Sequence, residues 1–472
     1  TILSPGSEFR SREALTSIWK HNQDWKLIQS TIYDGCDYPT DHELTRGEQS
    51  IDLKYMLEFD NHKSASTPEG KAAINKAYTK EVNHGWQIPI PLETIPKIKN
   101  AGVIPIGVAT QTTFNTLGEK IPKYRVTHNG SWEPPSGHSI NEDTIAELLQ
   151  PCIYGSCTRR ICHGIHAMRV AYPFKRIFMA KTDLDAAYRR LHVLPKWAIR
   201  AITVFKKLGF IELRLPFGVS GGPSIYSCIS EAVFDLVNDI LRDTSWDPDV
   251  LHSPHQGDFL VPDPEPDHIS FGQAKPLAVP VPLREKFCDG YIDDGVSVAV
   301  DINDNVKRIQ NASPLAIHAI FRPLNSEEAV DRDDPLSLRK HAVEVTPVEQ
   351  KTILGWLLHT RLFKIFLPLD KASEWVSDIK AILRSGTVAA KPLESMLGKL
   401  NHVGYIIPQG RYFLNRLRFR LKKCQDFGPQ ALKKWDKDDL RLWIDLLEHT
   451  SRNGIDLNHL NFTQPDTTTV SD

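Results

Sequence analysis

Two adjacent carboxylates, Asp293 and Asp294, stand between a tyrosine and a glycine in "FCDGYIDDGVSVAV" (residues 287–300), with an apolar run behind them. A third acid, Asp183, closes another apolar run in "RIFMAKTDLDAAYRRLHV" (176–193). Carboxylates gathered at one end of a sheet repel one another unless cations neutralise them. Oxygen ligands of this kind suit Mg²⁺, which takes a few carboxylates together with substrate phosphates. Two such ions about 3.5–4 Å apart activate an attacking hydroxyl and steady a leaving phosphate oxygen. Asp294-Gly295 also has a plain structural reading, because Asp-Gly between strand-like runs is a strong hairpin signal. The chemistry therefore depends on the company the pair keeps.

Between the acids lies "LRLPFGVSGGPSIYSCISEAVFDLVNDI" (213–240), where Gly218, Gly221 and Gly222 precede a helix with Pro223 near its first position. Ile225, Ile229, Val233, Leu236 and Ile240 mark one apolar face of that helix. Glycines at such a place let the backbone approach a flat ligand closely, such as a base pair. The elements that must position these groups are strands ending at 183 and near 291. A helix is predicted near 155–171, and "DKASEWVSDIKAILRSG" (370–386) has helical periodicity with a glycine at its end. Residues 391–423 and 430–450 also read as helices. The segment 241–287, with eight prolines, reads as an inserted loop.

An aspartate ending a strand before Ala-Tyr, then "LPFGVSGGP", "YIDD" and "LGW" (354–356), resembles the palm of reverse transcriptases of the retrotransposon and retroviral types. The similarity covers roughly residues 100–420, and its motifs are specific in combination rather than singly. The tail "LESMLGKLNHVGYIIPQGRYFLNRLR" resembles the thumb-side region of retrotransposon enzymes, in the group lacking a retroviral-type integrase. The resemblance implies an α+β right hand of fingers, palm and helical thumb, performing RNA-directed DNA synthesis with two Mg²⁺ ions (Mn²⁺ as the substitute). It implies Asp183, Asp293 and Asp294 as metal-binding catalytic acids, with the Leu184 carbonyl as an added ligand. Tyr188 then matches the bulky residue under the sugar, and Phe217 and Gly218 flank the nucleotide. Phe217 stands where retroviral enzymes carry glutamine. Arg125 and Lys123 match residues holding the triphosphate of a dNTP. Tyr291, Leu354, Gly355 and Trp356 match groups at the primer end. Arg411 and Arg416 belong to a basic run that would grip a primed RNA or DNA template by its phosphates.

The same resemblance divides the chain into a 1–95 extension of unknown role, fingers at 96–175 and a palm at 176–350 carrying the insertion. A primer-grip hairpin at 351–370 and a helical thumb or connection at 371–472 complete it. Two rivals stay open: a catalytically silent nucleic-acid-binding protein on the same fold, and an RNA-dependent RNA polymerase. No ribonuclease H acidic quartet follows residue 420, and no Asp-Thr/Ser-Gly protease signature occurs.

Composition sets the outer bounds. The 472 residues are 41% hydrophobic and 24% charged with a net charge of −1, ordinary for a globular chain of about three lobes. That balance excludes a uniformly basic coat, yet residues 399–434 set nine basic side chains against Asp426 alone. No apolar run reaches the roughly 18 residues that span a bilayer. Seven cysteines without framework spacing fit reduced thiols inside a cell, cytoplasmic or nuclear. A start at Thr1 rather than methionine fits a piece of something longer. Cys152, Cys157, Cys162, His163 and His166 are too loosely spaced for a zinc motif and read as buried small thiols and a helix-surface histidine. P-loop, dinucleotide-binding and HExxH motifs are absent.

Overall fold

A computed structural model of the chain describes residues 8–59, 61–114, 120–152, 154–245, 251–257, 269–279 and 281–464. The first segment is helical: α1 (Arg12–Trp19), α2 (Trp25–Gln29), α3 (Arg46–Phe59), α4 (Lys63–Ser66) and α5 (Pro68–Asn83). Thr67 caps α5, its hydroxyl accepting from Gly70 N at 3.0 Å, and Pro68 occupies the first turn. Strand β1 (Gln87–Pro91) follows, then the long hairpin of β2 (Ile106–Phe114) and β3 (Lys120–His128).

Next come α6 (Cys157–Ala171), β4 (Ile177–Asp183), α7 (Pro195–Ala198), β5 (Thr203–Phe205), β6 (Leu208–Glu212) and α8 (Gly222–Arg242). Then β7 (Lys286–Tyr291), β8 (Asp294–Val300), α9 (Asn305–Ile320) and α10 (Leu338–Glu344) complete the middle. A hairpin of β9 (Gln350–Ile353) and β10 (Trp356–His359), extended by β11 (Lys364–Phe366), leads into α11 (Leu369–Ser385), α12 (Ala390–Val403), α13 (Asn415–Phe427) and α14 (Lys434–Arg452). The architecture is mixed α+β. Among the described residues no helix is long and apolar enough to cross a membrane.

The three-stranded antiparallel sheet β4-β8-β7 lies at the centre, buried on both faces. Side chains alternate across it, as the period of a strand requires. Phe178, Ala180, Cys288 and Ala299 pack into one core with α8 and α9. Ile177, Met179, Phe287, Val296, Val298 and Val300 pack into a second core with α6, the β9–β10 hairpin and the C-terminal helices. Double burial explains why these strands read as continuous apolar runs. The first segment joins the same body: β1 pairs with β6, and Phe9, Leu15, Trp19 and Trp25 enter the first core.

Three sequence expectations change here. Cys152 is exposed rather than a buried thiol, and of the two helix histidines His166 is buried, 3.0 Å from Asn458 Oδ1 with its ring against Phe363. The turn joining β7 and β8 consists of Ile292 and Asp293, so Asp294-Gly295 belongs to the strand. The basic run is partly offset by acids from outside it: Lys399 meets Glu374 and Asp378, Arg420 meets Asp436, and Arg416 meets Asp439. Within the proline-rich segment, 246–250, 258–268 and 280 lie outside the described residues.

Candidate functional site

Strand register decides which acids meet. In the β4–β8 ladder Asp183 stands directly opposite Asp294, the last pair of the run from Ile177↔Val300. Residues opposed across antiparallel strands have Cβ atoms about 4.5–5.5 Å apart. Asp293 sits on the turn beside them, and its carbonyl accepts the Leu184 N–H at 3.1 Å. Ile292 holds φ +57° at this turn, an uncommon conformation for a β-branched residue and a local strain. Gly290 and Gly295 face each other across the hairpin, and the Phe234 ring of α8 lies against both. Behind Asp183, the chain at 335–337 is tied by Ser337 N to Asp183 O and Asp185 N to Pro335 O, each 2.9 Å.

Burial and mutual repulsion act on these carboxyls together. Burial first, then the Asp183 charge, raises Asp293 above the usual carboxylate range. Burial pushes Asp294 up to about 6, with Lys181 opposing and Asp293 reinforcing the rise. Two ammonium groups answer the charge: Lys340 Nζ lies 2.5 Å from Asp183 Oδ1, and Lys181 Nζ 3.1 Å from Asp294 Oδ1. That Asp294 oxygen is buried without a hydrogen bond of good geometry. Lys181 is anchored also by Glu344 at 3.5 Å, whereas the Lys340 side chain is nearly half exposed. A carboxylate cluster that already draws in two ammonium groups offers the oxygen ligands that suit hard divalent ions.

The remaining sequence-predicted residues divide into neighbours of the acids and residues apart. Tyr188 is buried against Phe217 (ring centroids 5.1 Å) and Tyr226 (5.3 Å). Burial first, then the Asp293 charge, raises its hydroxyl. Phe217 is exposed, and Gly218 has φ +105° with its α-carbon pressed against the end of β3. Asn141 holds this loop, donating to Gly218 O (2.9 Å) and accepting from Ser220 N (2.7 Å). Lys123 and Arg125 are exposed on β3. Burial, Arg125 and Lys340 lower the Lys123 ammonium while Asp185 and Asp183 oppose them, so it lies within electrostatic reach of the acids.

Tyr291 is exposed, its ring 5.7 Å from that of Tyr154. Leu354 and Gly355, with φ +49° and +86°, form the two-residue turn between β9 and β10. Trp356 points inward instead, buried and stacked on His402 at 4.4 Å. Arg411 donates to Gly404 O at 2.9 Å, and Arg416 lies over the Trp435 ring at 5.3 Å.

Sequence reasoning missed Lys181 and Lys340. Lys181 sits two residues before Asp183 on β4, a visible spacing, but nothing local marked Lys340, which reaches the acid from α10. Among the described residues, two groups of three bring one ligand atom each within 4.8 Å of one another: His42, Glu48 and His138, and His255, His318 and Asp334. The acid trio is not one of them.

No protein-family model matches the chain, and no curated protein does either. Solved structures do match at low similarity. A foamy viral protease-reverse transcriptase dRH in complex with ds DNA aligns at 11% identity and TM-score 0.46, over 96% of this chain and 59% of that one. A foamy viral protease-reverse transcriptase with RNA/DNA hybrid aligns at 12% and 0.45, over 95% and 45%. The dsDNA complex aligns at 11% and 0.46, over 98% and 71%. The chain thus spans less than two thirds of the first two.

Proposed function

We propose that the chain is an RNA-directed DNA polymerase of a retrotransposon-like element, extending a primer on an RNA or DNA template by phosphoryl transfer. The observation that carries this reading is the register setting Asp183 against Asp294, with Asp293 on the adjoining turn. Asp183, Asp293 and Asp294, with the Leu184 carbonyl, would hold Mg²⁺ ions. When bound, such ions supply neutralisation of the triphosphate and activation of the primer hydroxyl.

The chain's own residues do the positioning. Lys123 and Arg125 offer charge to the triphosphate. Tyr188 presents a ring where a ribose 2′-hydroxyl would collide, favouring deoxynucleotides, with Phe217 and Gly218 beside it. Tyr291 and the Leu354–Gly355 turn face the primer end, and exposed Arg411 and Arg416 meet duplex phosphates. In this reading 96–175 are fingers, 176–350 palm, 351–370 primer grip and 371–472 thumb.

One observation favours a second reading, a silent nucleic-acid-binding protein: lysines already neutralise Asp183 and Asp294. Primer extension with Mg²⁺ or Mn²⁺ on primed RNA and DNA templates separates the two. The polymerase reading expects dNTP incorporation that falls on the order of 10²–10³-fold in Asp293→Asn while duplex binding persists. Duplex binding by folded wild type without incorporation, or a fully active Asp293→Asn, overturns it.

A further inference from the structure

Behind the acid trio, three side chains from distant segments converge: His255 from the insertion, His318 from the last turn of α9 and Asp334 from the loop before α10. His255 Nε2 lies 2.8 Å from Asp334 Oδ2, and His318 Nε2 lies 3.3 Å from Asp334 Oδ1. Ligand atoms around a tetrahedral zinc, with bonds of about 2.0–2.1 Å, stand roughly 3.3–3.4 Å apart. The 3.3 Å separation matches that figure, the 2.8 Å one is a hydrogen-bond distance, and all three ligand atoms lie within 4.8 Å of one another.

The state of His318 is an independent observation. Its side chain is buried, and its Nδ1 lies 2.9 Å from Pro314 O. A carbonyl only accepts, so Nδ1 carries the hydrogen; Ser253 Oγ lies 3.1 Å from the same nitrogen. In the neutral ring Nε2 is then a bare lone pair. It is buried and makes no hydrogen bond, although a carboxylate oxygen is 3.3 Å away. At that distance either a proton on Nε2, which makes the ring cationic, or a metal cation between the two atoms relieves the repulsion. A histidine that donates its far N–H to a backbone carbonyl and aims its other nitrogen at a carboxylate has the arrangement of a metal ligand.

We propose that His255 Nε2, His318 Nε2 and the Asp334 carboxylate bind a zinc-type transition-metal ion. Two imidazoles and one carboxylate suit zinc or cobalt and do not suit Mg²⁺, which separates this site from the acid trio. Its role is to fasten the insertion to the strand that ends in Asp183. Asp334 Oδ1 accepts Leu336 N at 2.8 Å, and Arg190 Nη2 donates to the Asp334 carbonyl at 2.8 Å. The next residues then bond the backbone of Asp183 and Asp185.

The test is titration of chelator-treated full chain with Zn²⁺, and with Co²⁺ followed by its visible absorption. Wild type and Asp183→Asn should each take up one equivalent and gain thermal stability with Zn²⁺. His255→Gln, at a partly buried ligand that folding tolerates, should bind at least about tenfold more weakly, and His318→Ala should lose the cobalt spectrum. If His318→Ala fails to fold, His255→Gln alone decides. Absence of uptake by wild type, or equal affinity in His255→Gln, overturns the proposal and leaves a His–Asp–His hydrogen-bonded clasp.

Discussion

At Gly218, conformation and contact demand the same residue. Its φ of +105° disfavours any side chain, and an added Cβ would lie 1.9 Å from the His128 carbonyl oxygen at the end of β3. Neither strand-end backbone nor loop can yield, because Asn141 clamps the loop from the other side. Gly218→Ala should therefore cost about 2–4 kcal/mol of unfolding free energy, read by chemical denaturation. An unchanged denaturation midpoint would mean that the loop does not sit against β3. The glycine was legible in "LPFGVSGGP" as a site of close backbone approach. Its partner was not: sequence alone pointed to a ligand, and the described contact is the chain's own β3. The acids were legible by type and by their place at strand ends. Lys340 was not, since a charge partner across 157 residues leaves no local pattern, and Lys181 stood in view two residues before Asp183 without its partner Asp294 being marked.

α11 followed its periodicity and stops at Ser385 because Gly386 adopts φ +67°, whereas the helical reading of 391–423 divides into α12 and α13 around a 3-10 turn at Pro408–Leu414. The β7–β8 hairpin did not follow its local signal. Asp-Gly at 294–295 is the stronger turn former, yet the turn is made by Ile292 and Asp293. Tertiary packing wins: Gly290 and Gly295 are needed opposite each other so that Phe234 of α8 can lie flat on the hairpin. A Cβ on Gly290 would fall 1.7 Å from Phe234 Cε2, and one on Gly295 3.0 Å from Cε1. This seat sets the height of the acid-bearing turn. Gly290→Ala should destabilise by about 1–3 kcal/mol through overpacking. Combined with Phe234→Ala it should recover part of that loss, giving a coupling energy of about 1–2 kcal/mol in a double-mutant cycle. Strictly additive effects would show that the ring does not brace the hairpin.

For the molecule as a whole, the first 95 residues are the part the sequence left without a role, and packing explains why no motif was visible. What they contribute is apolar surface and several charges, Glu8 on Arg190, Glu81 on Arg189 and Lys80 on Asp333 among them. Phe9, Leu15, Trp19, Trp25, Ile28, Ile32 and Tyr38 are buried in the core shared with α8 and α9, each contributing roughly 1.5–3 kcal/mol. Glu8 meets Arg190 at 2.9 Å in full burial, and Arg190 also bonds the carbonyls of Asp185 and Asp334 beside the acids. Strand β1 supplies one edge of the β1-β6-β5 sheet. Removing all of this exposes the matching half of the core and strands a buried guanidinium, which alone costs about 3–5 kcal/mol. Domain stabilities are about 5–15 kcal/mol, so the loss exceeds what the remainder holds. A chain beginning at residue 96 should thus be recovered as aggregate, or lack a cooperative thermal transition by calorimetry. The milder Glu8→Gln variant of the full chain should fold with a lowered midpoint. A soluble 96–472 chain melting cooperatively near the full-length midpoint would mean that the N-terminal residues are an appendage, and that Arg190 and the acid-bearing strand end are positioned without them.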